Sequence, residues 1–441
     1  MRVQMHIWLI VLAAILIAIP LLSACGDDET GEPTATAPTT ATPASEPTTP
    51  PTTAPAQTVK FKLGVITDIT GPASQAMTVC DASLADLVRY YNESNLIPGL
   101  KLETIKYDSQ YDPSKAMPAY HWLIDRGADV ILTGLPPIVS VIHNRCTQDG
   151  VPLLTIVVSS DAIVPPTWNF AFNTTSESFM YTLLKWVAEN DPDFPQDRPA
   201  KIGGAGWEGP YMTQILDGME NYCKAHPDQY ELVDTFLASF TQMNWENEVD
   251  VLSECDYVVP PATGISTTQF MKEYVNAGGK GKFLGTDAHN AYLGMIVDTF
   301  GGWEEFDGML FCLPNRWYNE EGQGEVVDLL NHLLEEYHST AEANSYRWAG
   351  SSYQGSFHQW WGILELIKAT AEEYGPENVT RQAIYDTAVN FTRPMSGGQL
   401  ISFSETDRTA WEYYGVYEAS AEHQDLMRIG MDEWWPVRNE P

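Results

Sequence analysis

Asp287-Ala288-His289 directly follows the run Phe283-Leu284-Gly285-Thr286, and a carboxylate at the end of a strand is well placed to hold a cation. Such a charge-assisted bond contributes about 1.5–3 kcal/mol. An Asp and a His two apart could ligate a metal, but so short a fragment is too common to assign one. Ser159 and Ser160 close the run Leu154-Thr155-Ile156-Val157-Val158 and offer two hydroxyls to a polar group, a role that competes with an ordinary turn or helix cap. Gly204-Ala205-Gly206-Trp207-Glu208-Gly209 has the G-x-G-x-x-G spacing of dinucleotide folds, yet the bulky Trp207 and the following Pro210 fit a ligand loop better. The chain has no G-x-S-x-G elbow, no H-E-x-x-H and no C-x-x-C pair, so its polar residues point to binding rather than catalysis, with no cofactor and no metal expected.

The elements that must position these groups follow from hydrophobic spacing. Short apolar runs alternate with amphipathic stretches from Lys60 onward, the pattern of parallel sheets with crossover helices. Strands are predicted at Phe61–Ile66, Leu102–Tyr107, Val130–Leu132 and Leu153–Val158. Helices are predicted around Leu84–Tyr91, Ala116–Asp125 and Ile138–Gln148. A second α/β series has strands at Lys201–Ala205, Leu232–Leu237, Tyr257–Val259 and Lys282–Leu284, with helices at Thr213–Lys224 and Thr267–Asn276. After Met309–Leu313 come two strong helices, one with Val326, Leu330, Leu333 and Tyr337 on one face, the other around Trp360–Ala369. In open parallel sheets ligands sit beyond the carboxyl ends of the strands. That rule selects Thr70–Gln75, Leu135–Pro137 and Ser159-Ser160 in the first unit, and Trp207, Pro261–Thr263 and Asp287–His289 in the second.

The apolar run Ile7–Leu22, after a weakly basic start, is short for a membrane span and fits a signal peptide over residues 1–24. Leu22-Ser23-Ala24-Cys25 resembles the bacterial lipobox, which implies cleavage before Cys25, a lipid on its sulfur, and a place outside the cytoplasm, tethered to the membrane. Residues 25–57 are Thr, Pro, Ala and acid, a composition that reads as an extended tether. The formal net charge of −35, from 24 basic and 59 acidic residues, opposes phosphate backbones and excludes nucleic acid as a partner. Of six cysteines, setting Cys25 aside leaves an odd number, so at least one thiol stays unpaired.

Leu63-Gly64-Val65-Ile66-Thr67-Asp68-Ile69-Thr70-Gly71-Pro72 resembles the opening strand and ligand loop of the branched-chain amino-acid-binding proteins, the type I periplasmic binding family of ABC importers. Tyr107–Pro113, Phe283–Asp287 and Gly397–Ser404 are similar to further segments of that family, in order along the chain. The resemblance implies an α/β fold of two Rossmann-like lobes with parallel sheets, joined by three hinge crossings. On this chain residues 58–176 plus 315–393 would form lobe 1, and 177–314 plus 394–441 lobe 2. It further implies a small amino-acid-like, amide or related polar or aromatic solute gripped between the lobes and delivered to a membrane ABC permease, with no enzymatic step. The alternative is a sensing module that reports occupancy to a receptor. By resemblance, Ser159 and Ser160 would present hydroxyls to a ligand carboxylate, Asp287 would pair with an ammonium, and Trp207 would form an aromatic wall; Gln75, Pro136 and Thr263 complete the candidate set. One departure stands out: Gly134-Leu135-Pro136-Pro137 replaces the hydroxyl residues that the family offers to a carboxylate, and proline has no N–H to give.

Overall fold

A computed structural model describes residues 58–441 except 158, 159, 240, 241, 263 and 432. The signal and tether segments, with Cys25, lie outside the described residues.

The first sheet is all parallel. It contains β1 (Val59–Thr67), β2 (Leu100–Asp108), β3 (Val130–Thr133), β4 (Leu153–Thr155) and β5 (Asn169–Ala171), in the order β2-β1-β3-β4-β5. Leu63 of β1 faces Thr104 of β2 on one side and Val130 of β3 on the other. β1 is buried from Leu63 to Thr67, as a strand covered by helices on both faces requires. The order reverses between β1 and β3, so the loops leaving these two strands diverge and open a crevice at their carboxyl ends.

The second sheet repeats this winding. β6 (Ala200–Trp207), β7 (Tyr230–Ala238), β8 (Tyr257–Val259), β9 (Lys282–Thr286) and β10 (Leu310–Leu313) lie in the order β7-β6-β8-β9-β10. A small hairpin, β11 (Thr392–Pro394) with β12 (Leu400–Ser402), precedes the last strands. β13 (Tyr413–Ser420) then adds antiparallel to β10, and β14 (Asp425–Ile429) and β15 (Trp435–Pro436) add antiparallel to β13. The sheet is therefore parallel in its body and antiparallel at one margin, where short connections replace crossover helices.

The chain passes between the two sheets three times: after β5, after β10, and before β13. The first hydrophobic core takes residues from Phe61 to Phe172 and from Val326 to Phe391, and also Ile401, Phe403, Ala410 and Trp411, which the sequence reading grouped with the second lobe. Its central helix, Ser351–Tyr374, is buried on every side from Ser351 to Ile367 and packs along the helix Ser74–Glu93. The strand predicted to run to Val158 ends at Thr155. Helices Ser176–Asn190, Thr340–Trp348 and Arg381–Ala388 add to those expected from the sequence. Cys80, Cys146, Cys223, Cys255 and Cys312 are all buried and free.

Candidate functional site

The carboxyl ends of both sheets face a shared cleft that holds a cavity of about 170 Å³. On the first side, the loop after β1 is shaped by two carboxylates that bond to backbone rather than face the cavity. Asp68, fully buried, accepts the N–H groups of Gly71 at 2.5 Å and Ala73 at 2.8 Å. Asp108 accepts from the Ile69 N–H (2.9 Å), the Thr70 hydroxyl (2.7 Å) and the Gln110 N–H (3.1 Å). Burial works against the Asp108 charge, but these bonds together hold its carboxyl below its usual range. Gly71 passes so near Gln110 that a Cβ there would sit 2.5 Å from the Gln110 carbonyl oxygen, so only glycine fits. Gln110 and Tyr111 themselves adopt left-handed backbone, φ +56° and +58°, which turns the chain and brings Tyr111 to the cavity.

Helix Pro136–Asp149 begins at the end of β3 with its first turn toward the cleft. Pro136 and Pro137 have no N–H, and the N–H groups of Ile138 and Val139 both donate to the Leu135 carbonyl, at 3.0 and 3.1 Å. The Leu135 N–H donates to the Thr133 hydroxyl at 3.2 Å. This helix start thus presents no unoccupied donor over its first residues.

On the second side, Asp287 follows β9. Its carboxylate accepts from Asn173 Nδ2 at 3.1 Å and from the Tyr211 hydroxyl at 3.4 Å, and its carbonyl accepts from the Ser351 hydroxyl. Among the described residues no Lys or Arg pairs with it. Burial raises its carboxyl above the usual value, partly offset by hydrogen bonds from Asn173, the Ala288 N–H, Tyr211 and Thr286. Trp207, only 5% exposed, donates its indole N–H to the Ala262 carbonyl at 2.8 Å, and its ring covers Gly209. Gly206 lies against Met212, so the glycines of the G-x-G-x-x-G stretch admit helix Pro210–Ala225 close to the strand, and a phosphate has no place there.

His289 is fully buried: its Nε2–H donates to the Pro260 carbonyl at 2.9 Å and its Nδ1 accepts the Thr286 N–H at 3.0 Å, tying the ends of β8 and β9. Both nitrogens are engaged, which removes it as a metal ligand. No group of three metal-ligating side chains occurs among the described residues. Burial lowers His289 and His358 to about 4 each. A histidine neutral in the fold and near 6.5 when unfolded, at about that reference value, takes up protons on unfolding, so each of the two costs stability as pH falls from about 6.5 toward 4. We expect their ring resonances to stay at the neutral position down to about pH 5. A midpoint above 6 for either ring would contradict the packing described for it.

The cleft is closed from behind by the first turns of helix Ser351–Tyr374, which bring Ser351, Ser352, Gly355, Ser356 and Gln359 to one stripe. The Ser356 hydroxyl is paired with Ser83 at 2.8 Å and with the Ser352 carbonyl at 2.7 Å. The Ser352 hydroxyl is buried without a hydrogen-bond partner among the described residues.

Of the candidates chosen from sequence, Trp207, Asp287 and Pro136 line this one cavity. Gln75 lies on the exposed side of its helix and is not among the lining residues. Ser160 donates to the Glu177 carboxylate at 3.0 and 3.1 Å and lines a separate recess beside Asp407 and Arg408. Ser159 and Thr263 lie outside the described residues. Sequence reading missed Tyr111, Tyr211, Asn173 and the serine stripe; the stripe had a signal, serine, glycine or glutamine at 351, 352, 355, 356 and 359, the spacing of one helix face. A larger polar groove of about 600 Å³ lies between helices Ser351–Tyr374 and Arg381–Ala388, away from the strand ends. Its carboxylate Glu365 is already held by Arg393 at 3.2 Å and Lys368 at 3.5 Å.

A family model described as periplasmic binding protein matches residues 60–424. Curated protein sequences give no match. Among solved structures, a branched chain amino acid ABC transporter from Thermus thermophilus with bound valine is 16% identical with a TM-score of 0.73, over 87% of this chain and 98% of that one. A solute binding protein from R. palustris in complex with benzoate is 14% identical with a TM-score of 0.65, over 86% and 98%. The fatty acid ABC transporter substrate-binding protein from Thermomonospora curvata is 16% identical with a TM-score of 0.67, over 87% and 96%. At these identities the likeness establishes the fold.

Proposed function

The chain belongs to the periplasmic binding protein family, and from that premise we propose that it is the extracytoplasmic solute-binding component of an ABC transporter, anchored through a lipid on Cys25 and delivering its solute to a membrane permease. No helix among the described residues is long and apolar enough to cross a membrane. The observation that carries the proposal is the shared cavity: Tyr111, Pro136 and Ser352 reach it from the first core's side, Trp207, Tyr211 and Asp287 from the second sheet's side. A solute that touches both halves favours the state in which they are closed, which is how occupancy becomes a shape that a permease can read. The two halves are then lobes hinged at the three chain passages. The proposed solute contacts are completed by Ser159, Gln75 and Thr263, and by Ser160 once closure frees its hydroxyl from Glu177.

The solute is a small, largely apolar molecule, amino-acid-like, an amide or an aromatic. The bound partners named for the structural relatives, valine and benzoate, support that size and character. Thermal melting and X-ray scattering of the full-length chain in detergent test the reading. A cognate solute raises the melting temperature and reduces the radius of gyration. A broad panel of amino acids, amides, amines, aromatic acids and fatty acids that leaves both unchanged would overturn it.

A further inference from the structure

We infer that the solute is an apolar amine that carries no carboxylate. The inference rests on the solute-binding reading above and narrows it to a chemical class.

The charge lining of the cavity is one-sided. Asp287 is the single charged side chain among the described residues that line it; no Lys, Arg or His is present. Its carboxylate receives only neutral donors, Asn173 at 3.1 Å and Tyr211 at 3.4 Å with the Ala288 N–H and Thr286 beside them, and no cation among the described residues. A half-buried carboxylate with neutral partners alone carries an uncompensated charge at the cavity wall, and an ammonium on the solute balances it with a short, charge-assisted bond.

A solute carboxylate would find the reverse. The helix start nearest the cleft on the first side has no N–H at Pro136 or Pro137 and has committed those of Ile138 and Val139 to Leu135. Helix Pro210–Ala225 on the opposite side also opens with a proline. An acid in this space would meet Asp287 with no cation and neither of these helix starts to compensate; neutral hydroxyls such as that of Ser352 do not cancel the repulsion, so benzoate-like acids and zwitterionic amino acids are both disfavoured. The remaining walls, Met77, Tyr111, Leu135, Ile156 and Trp207, suit a hydrocarbon or aromatic body, and aromatic faces attract cations besides. The formal charge of −35 on the whole chain acts in the same sense at long range, drawing cations toward the protein and repelling anions.

Calorimetric titration of the full-length chain in detergent tests this with two matched skeletons. The phenylethyl series is 2-phenylethylamine, 2-phenylethanol, 3-phenylpropanoate and phenylalanine. The isoamyl series is isoamylamine, isoamyl alcohol, 4-methylpentanoate and leucine. The amine of at least one series is expected to bind at least about tenfold more tightly than its alcohol, with its acid and amino acid weaker still. Asp287→Asn is expected to abolish the preference of the amine over its alcohol, with the two binding within about threefold of each other in the variant. Tighter binding of the acid or amino acid, or an amine preference that survives Asp287→Asn, overturns the inference and leaves solute binding standing. Silence from both series with valine or benzoate bound has the same meaning. Silence from every solute tried, including the broad panel above, overturns the solute-binding reading and this inference with it.

Discussion

Glu320→Ala is expected to destabilise the fold by about 3–5 kcal/mol, the cost of leaving a buried charge without its partner. Glu320 is 4% exposed, and one carboxylate oxygen accepts from Arg316 at 2.6 Å and Arg428 at 3.3 Å. The other accepts from the Trp317 N–H at 2.8 Å and the Tyr417 hydroxyl at 2.5 Å. Removing the carboxylate strands two like-charged guanidinium groups that are 6% and 7% exposed. Their remaining partners, the Gly397 and Glu433 carbonyls, carry no charge to offset them. The cluster ties the chain just after β10 to β13, β14 and the turn between β11 and β12, so its loss loosens two of the three chain passages at once. Urea denaturation measures it. A loss below about 1 kcal/mol, the range of solvated ion pairs, would show that water reaches the cluster.

Trp207→Ala is expected to cost a further large amount, about 3–5 kcal/mol for a buried tryptophan, and to abolish the solute-induced rise in melting temperature. The ring fills the space over Gly209 and forms one wall of the cavity, so its removal both leaves a void and widens the pocket. Trp207→Phe separates the two effects. It keeps an aromatic wall and removes the indole donor to the Ala262 carbonyl, at a cost of about 1–3 kcal/mol. Solute binding retained in the phenylalanine variant and lost in the alanine variant supports the wall; binding unchanged in Trp207→Ala would remove Trp207 from the site.

The parallel strands other than β5 were legible as short runs with apolar residues bounded by turn residues; β5, only three residues long, gave too little pattern to be read. Tyr257–Val259 and the helix Ala116–Asp125 appear with the bounds that their spacing predicts. The carboxyl-end rule then led to Asp287, Trp207 and Pro136, which depend on the strand or helix terminus they occupy. It could not reach Asn173 or Tyr211, whose relation to Asp287 depends on how loops from separate strands fold against each other. Ser160 had the right type and place in the chain, but its hydroxyl is held by Glu177, a partner that no periodicity reveals. The start of helix Ser351–Tyr374 was hidden for a physical reason: its polar stripe faces the cleft, so the apolar pattern shows only from Trp360 onward. The antiparallel margin of the second sheet was missed because β13 and β14 follow β10 only after a long excursion through the first core.

The prolines at the cleft also bear on the entropy of capture. Pro72 and Pro136 line the cavity and Pro210 opens the helix beyond Trp207. Each fixes its own φ near −65° before any solute arrives, and the left-handed turn at Gln110-Tyr111 is pinned by the close passage of Gly71. A mouth whose backbone is already confined loses little freedom when it shuts, so more of the contact energy is left for holding the solute. The same rigidity limits adaptation: a solute of another shape meets walls that do not rearrange, and selectivity arises from stiffness as well as from charge.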